Sequence, residues 1–263
     1  MRRAFVVLRA IGSVCSLGLL VVLMQAHAAH AAELKVFGSR VTRMVIGDVG
    51  PAFEQATGHK LQVVTDVAAV MKRRIEDGEP FDLAVLVNFQ TDALIKAGKL
   101  AADSRADIMK AGIGVAVRRG APKPDISTVE AFKRTLLAAK SITYLKEGAS
   151  TIHLDRVFAE MGIAEALKGK TIKPETESVS ERVARGEVEL GLIVIPNILS
   201  VPEAELVGPL PREIQSYIVF TAAVAGQSPN QQAAREVIKL LTDPRTRQVI
   251  ASKGMEPAAA ATQ

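Results

Sequence analysis

The chain has 263 residues, with 33 Lys and Arg against 28 Asp and Glu and a single cysteine. Three of the arginines fall in residues 1–28, which hold no carboxylate, so the remainder carries 30 basic and 28 acidic groups, a net +2. A nearly neutral remainder with no tryptophan and two tyrosines excludes a strongly polyanion-binding surface and the aromatic platforms used for sugars or single strands, so no nucleic acid is expected as a partner.

Arg2, Arg3 and Arg9 precede an apolar run that ends near Met24, followed by the small-residue stretch Ala26 to Ala32. A basic start, a short greasy middle and Ala-x-Ala sites read as a secretory signal peptide over residues 1–28. The run from Val14 to Leu23 is too short to span a bilayer, which takes roughly 20 apolar residues. Cys15 leaves with that leader, and no acylation motif precedes it. The exported chain then has no disulfide, no thiolate nucleophile and no cysteine metal ligand. Its expected place is the periplasm, where the lack of ATP excludes most kinases and synthetases. About 230 residues suffice for one large domain or two lobes.

Short β-type runs then alternate with helical patterns, the signature of βαβ units around mainly parallel sheets. Strands are expected at Leu34 to Phe37, Lys60 to Val64 and Asp82 to Leu86. A helix around Phe53 has poor first turns, because Gly47, Gly50 and Pro51 disfavour it. A better helix carries Val70, Met71, Arg74 and Ile75 and closes at Gly78. Asn88 is placed as the cap of the next, which Gly98 ends.

A second set starts with a strand at Ile113 to Val117. Ser127-Thr128-Val129-Glu130 reads as a capping box opening a helix to about Ala139. Ser141 to Tyr144 is a strand, Gly148 to Thr151 a loop, and Ile152 to Met161 a helix stopped by Gly162. Ser178-Val179-Ser180-Glu181 is a further capping box, opening a helix that ends at Gly186. The β-type run Glu189 to Ile195 is cut by Pro196. Tyr217 to Val224 is a long apolar strand. One helix runs from near Pro229 to Leu241, and another is capped by Asp243 with Pro244 first and ends at Gly254. The Ala-rich tail, Ala258 to Ala261, is expected to be disordered.

Histidines do not cluster: His59 sits in a turn and His153 alone on a helix. No zinc-protease, nucleophile-elbow or phosphate-loop motif occurs. No catalytic residue, metal ligand or cofactor is therefore assigned.

The order Leu34 to Phe37, a Gly/Ser turn, Ile75-Glu76-Asp77-Gly78-Glu79-Pro80-Phe81-Asp82-Leu83, and a closing Asp243-Pro244 helix to Lys253-Gly254 resembles the periplasmic molybdate-binding proteins, type II solute-binding components of ABC importers. The resemblance covers about Glu33 to Met255. It implies an α/β, two-lobed periplasmic binding protein type II fold. Each lobe would be a mainly parallel sheet flanked by helices, joined by a two-strand hinge crossing near Val115 to Val117 and Tyr217 to Val224. Lobe 1 would comprise residues 29–115 and 221–263, and lobe 2 residues 116–220. It further implies a monomer that traps a small anion, with an ABC permease and an ATPase of the inner membrane as partners.

Members of that family hold their dianion with serine hydroxyls, helix N-terminal amides and a tyrosine hydroxyl, a sound arrangement because helix N-termini offer free N–H groups and a positive dipole end. Here Val41 stands at the ligand serine's place, Asp66 to Val70 contains no hydroxyl, and Val194 or Ile195 replaces the tyrosine. The candidate contacts are accordingly Ser39 beside the first strand, Arg40 at the mouth, the amides of Ala68 and Ala69, Ser150 or Thr151 from the second lobe, the Val179 amide, and Asn197. The bland alternatives are a local turn bond for Ser39, a solvated charge for Arg40 and a simple N-cap for Ser150. Arg40 fits a carboxylate bidentately, so a small organic carboxylate stands beside a molybdate-like oxyanion as ligand. A secreted enzyme or a sensory binding module on the same fold are the remaining rivals.

Overall fold

The computed structural model describes residues 31–175 and 178–258. The leader expected over residues 1–28 lies outside them. No helix among the described residues is long and apolar enough to cross a membrane.

The chain opens with β1 (Glu33–Gly38), α1 (Arg40–Thr57), β2 (Lys60–Thr65), α2 (Ala68–Glu76), β3 (Leu83–Val87) and α3 (Asn88–Lys96). β4 (Ala106–Arg118) follows, then α4 (Val129–Ala138), β5 (Ile142–Thr143), α5 (Thr151–Glu160), α6 (Ala164–Lys168), β6 (Thr171–Ile172), α7 (Val179–Ala184), β7 (Leu190–Val194), α8 (Ile195–Leu199) and β8 (Ala204–Pro209). The chain closes with β9 (Tyr217–Val224), α9 (Gln231–Thr242), α10 (Pro244–Ser252) and β10 (Glu256–Pro257).

Strand order is β2-β1-β3-β9-β4-β7-β5-β6, with β8 and β10 also on β4. The first half of the sheet is parallel from β2 through β1 to β3, and β9 runs antiparallel between β3 and β4. Side chains of successive residues point to opposite faces. Thus Val36 and Val85 enter one core with Val41, Val45 and Val237, while Phe37, Ala84 and Leu86 enter another with Met71, Ile75 and Leu94. In the other half, Ile113, Val115 and Val117 pack on Phe132, Leu136, Leu154 and Phe158.

β4 belongs to both halves. Residues Ala106 to Gly112 pair with β9, whereas Ile113 to Arg118 pair with β7 and β8. The sequence pattern marks only its second part. The resemblance puts the return crossing near Tyr217 to Val224; all of β9 from Tyr217 on is paired with β4 or β3, and residues 210–216 lead into it from β8. There the Gln215 side chain takes the place of a strand neighbour: Ile113 N donates to its Oε1 at 3.0 Å, and its Nε2 donates to Ile113 O at 2.9 Å. A Cβ on Gly112 would lie 3.3 Å from that Nε2, so the small residue keeps the amide seated.

Several local expectations shift. α1 starts at Arg40 and runs through Gly47, Gly50 and Pro51 to Gly58, whose φ of 77° ends it. Burial of Val41, Thr42, Val45, Ile46 and Phe53 on one face overrides the poor propensity. Asn88 is the first residue of α3, with Val87 at the cap position. In α4 the cap is Thr128, which accepts from Ala131 N at 3.1 Å, while Ser127 is turned to Asp125. Pro196 sits in the first turn of α8, where its missing N–H costs nothing. β8 was unmarked in the sequence because four of its six residues are only partly buried. Ala258, placed in the disordered tail, donates its amide to Ile108 O; residues 259–263 lie outside the described region.

Asp82 joins the ends of three segments. One carboxylate oxygen accepts from Lys35 N (2.8 Å), and the other accepts from Ser228 Oγ (2.6 Å) and Asn230 Nδ2 (3.1 Å). It is 6% exposed. Asp82→Ala leaves three donors without their acceptor and is expected to cost about 3 kcal/mol in urea unfolding.

Nearby, Arg74 holds Glu79 with two bonds of 2.5 and 2.6 Å and Lys35 adds a third at 2.7 Å. These bonds, Arg74's first, hold the Glu79 carboxyl down at about 2. Its stabilisation is therefore complete above its ordinary value of 4.5 and is lost as pH falls through about 2. Glu79 is part-exposed, so the effect is modest. Glu79→Gln is expected to lower the melting temperature by about 2 °C at pH 7, with the gap closing near pH 2 in a pH series of thermal melts.

Candidate functional site

A cavity of about 280 Å³ opens where the C-terminal ends of β1, β2, β3 and β7 meet the starts of the following helices. Such strand ends are where open α/β sheets place ligands. α1, α2 and α3 from the first half, and α5, α7 and α8 from the second, all begin on its wall.

At α1, the first helical bond runs from Arg43 N to Ser39 O, so the amides before it face outward without a helix carbonyl. Gly38 precedes the turn, and a Cβ there would come within 2.7 Å of the Thr42 side chain. Thr42 Oγ1 accepts from Ser39 N and donates to Val85 O, fixing the turn to β3. Ser39 is the N-cap, yet its own hydroxyl oxygen is enclosed and has no hydrogen-bond partner.

At α2, Met71 N bonds Val67 O, leaving the amides of residues 68–70 free of helix carbonyls. Asp66, just before it, accepts from Val67 N at 2.7 Å. At α5, Ser150 is the N-cap with no cap bond from its hydroxyl. At α7, Ser178 caps by accepting from Glu181 N at 3.4 Å.

Of the eight candidate residues, Ser39, Arg40, Ala68, Ser150, Val179 and Asn197 line the cavity, whereas Ala69 and Thr151 do not. Thr151 is spent on its own loop: Oγ1 donates to Leu145 O and accepts from Gly148 N. Asn197 lies in the short helix after β7, and its amide oxygen is enclosed without a partner. Arg40 is already paired, its guanidinium lying 3.1 Å from Glu181 across the mouth.

Sequence reasoning set Val194 at a ligand position but missed the rest of the apolar wall, Leu86, Val87, Leu145, Ile193 and Phe220. Leu86, Val87 and Ile193 lie at strand ends, but nothing in a buried strand run says which end faces a cavity. Arg40 and Asp66 are the only charged residues among the described residues of the lining. Neither tyrosine joins it. Tyr144 is buried and donates to Asp155 at 2.6 Å, and Tyr217 lies beside the passage between the halves. The wall thus offers backbone donors, Ser39, Ser150, Ser178 and Thr65, the Asn197 amide and the charges of Arg40 and Asp66 beside a set of apolar side chains, an arrangement that can hold a small anion.

The chain is 34% identical over 230 residues to an aconitate isomerase of Pseudomonas sp., covering 85% of this chain and 87% of that protein. It is 26% identical over 243 residues to the molybdate-binding protein ModA of Azotobacter vinelandii, covering 87% and 92%. Among solved structures, the sulfate-binding protein SubI of Mycobacterium tuberculosis superposes with a TM-score of 0.72 at 17% identity, over 88% of both chains. Residues 34–256 match the family described as bacterial extracellular solute-binding protein, and the chain belongs to that family.

Proposed function

We propose that this protein is exported to the periplasm and binds a small organic polycarboxylate in the cavity, presenting it as a monomer to an ABC permease driven by its ATPase. The carrying observation is the pairing of helix N-terminal amides with an apolar wall. A tetrahedral oxyanion turns oxygen to every side and needs donors on every side, whereas Leu86, Leu145, Ile193 and Phe220 would leave several oxygens unpaired. A carboxylate ligand puts its charged ends on the amides and its carbons on these side chains. Val41 and Ala68 supply no hydroxyl, which weakens the case for a molybdate-like ion. The relative named for aconitate, a tricarboxylate, supports the same class.

Residues 32–112 and 217–258 would form one lobe and residues 113–210 the other. The passages at Gly112-Ile113 and 210–216 then serve as the hinge. Ligand would favour the closed form by touching both lobes at once.

The 34% relative also favours a second reading, that the bound acid is isomerised. Moving a double bond by proton removal and return needs a group that exchanges a proton, and Asp66 is the only carboxylate among the described lining residues. Proton NMR of cis-aconitate incubated with the protein decides: appearance of the trans isomer, lost in Asp66→Asn, establishes the enzyme, and unchanged substrate with measurable binding establishes the binder.

Thermal melting against cis-aconitate, citrate, tricarballylate, molybdate and sulfate tests the ligand class. A bound carboxylate at a hundredfold excess over Kd is expected to raise the melting temperature by about 5–10 °C. A rise with molybdate or sulfate alone overturns the carboxylate reading.

Ala68→Asp separates binding from folding. A carboxylate in the first turn of α2 favours the helix but repels an anion at the same amides. The expected outcome is at least a tenfold loss of affinity by calorimetry with no fall in melting temperature.

A further inference from the structure

Two ion pairs bridge the halves beside the cavity mouth. Arg40, the first residue of α1, lies 3.1 Å from Glu181 on α7. Arg73 on α2 lies 3.0 Å from Glu147, in the loop before α5. The sorting by sign is complete in these pairs: both cations come from the first half and both carboxylates from the second. The field of Arg73 extends beyond Glu147. Glu175, held low chiefly by its bond with Lys146, is lowered further by Arg73. All four side chains of the two pairs are about half exposed.

We propose that Arg40–Glu181 and Arg73–Glu147 form a two-point electrostatic latch that stabilises the closed cleft, so that Glu147 and Glu181 set ligand affinity without touching ligand. The proposal rests on the reading of two lobes that hinge, developed above. In the closed form each arginine is neutralised by a glutamate from across the mouth. Opening the cleft would leave two unpaired cations on one wall, one at the start of α1 and one in the last turn of α2, and two carboxylates on the other. An incoming anion is drawn to the cationic wall and repelled by the opposite one, so it lands on the first lobe. Closure then brings the glutamates to the arginines. Arg40 thereby acts in steering and latching, and the bound anion is left to the backbone amides. Exposed pairs of this kind shift an equilibrium by about two- to fivefold each, and salt weakens them.

The test reads the cleft directly, with no ligand present. The chain carrying Cys15→Ser, Lys96→Cys and Ala166→Cys takes one spectroscopic label on α3 and one on α6, and the interlabel distance distribution is measured at low and high salt. At low salt the closed distance is expected to predominate, and raising the salt should populate a longer one. Reversing both carboxylates (Glu147→Arg with Glu181→Arg) is expected to reduce the closed-to-open ratio at least fourfold. Adding Arg40→Glu and Arg73→Glu should restore it. Circular dichroism melts check that each variant folds, and the milder pair Glu147→Gln with Glu181→Gln serves if the reversal does not.

A distance distribution unmoved by reversal, or not restored by the fourfold swap, overturns the latch. Calorimetric titration with cis-aconitate and citrate separates this outcome from failure of the functional reading. Absence of carboxylate binding in a protein whose distances respond as described would overturn the ligand class and leave the latch standing.

Discussion

The structure depends on one strand serving two sheets. β4 pairs with β9 up to Gly112 and with β7 and β8 from Ile113 onward, so the backbone must change neighbours within a single peptide unit. An unpaired N–H or C=O at that point would cost as much as a lost hydrogen bond. Gln215 supplies the acceptor for Ile113 N and, beside Leu210 N, a second donor to Ile113 O. A side-chain amide tolerates changes of angle that a strand ladder does not. Under the proposed hinging of two lobes, this junction is where bending would occur. Close packing constrains its flank: a Cβ on Gly114 would fall within 3 Å of Leu206 and Ile195 side chains.

This junction explains why the cavity has the walls it has. Parallel strands β1, β2 and β3 deliver their C-terminal ends to one side, and β7 delivers its end to the other. Each strand is followed by a helix, so every strand end is also a helix beginning. Helix beginnings supply free amides, and buried strand ends supply Val, Leu and Ile. An apolar chamber with amide donors is thus a product of the topology before any particular side chain is chosen. Side chains then act mostly by omission. Val41, Ala68 and Val194 add no hydroxyl where the molybdate-binding pattern has donors, which leaves apolar surface facing the cavity.

Most strands and helices could be read from the sequence because their signals are local. Alternation and β-branched runs mark β1, β3 and β9, and glycines of positive φ such as Gly58, Gly78 and Gly162 end their helices. What could not be read was non-local. The first half of β4 is Ala-Asp-Ile-Met-Lys-Ala-Gly, too mixed to announce a strand until β9 lies beside it. α1 survives two glycines and a proline because its buried face packs on β2 and α10, contacts invisible in the helix's own sequence. In the cavity, the helix starts that the sequence marks at Ser39, Ala68, Ser150 and Val179 lie on the wall. Thr151 looked identical to Ser150 in sequence, and only the fold of the loop shows its hydroxyl turned back to Leu145 and Gly148. Sequence shows Arg40 as a cation at a helix start and cannot show the carboxylate facing it from 141 residues away.

That last contact also bears on why the cavity relies on dipoles instead of a fixed cation. A guanidinium inside a closed apolar chamber would bind an anion tightly and release it slowly. The proposed delivery to a transporter would need release as much as capture. If the two halves hinge as proposed, backbone amides on separate helices would supply attraction only while the walls are together, since no single helix start surrounds the cavity. A cation at the rim, neutralised on that closure, would add to encounter without deepening the bound well. The proposed balance of amides within and arginines at the mouth would tie affinity to cleft geometry, and opening the cleft would weaken every contact at once.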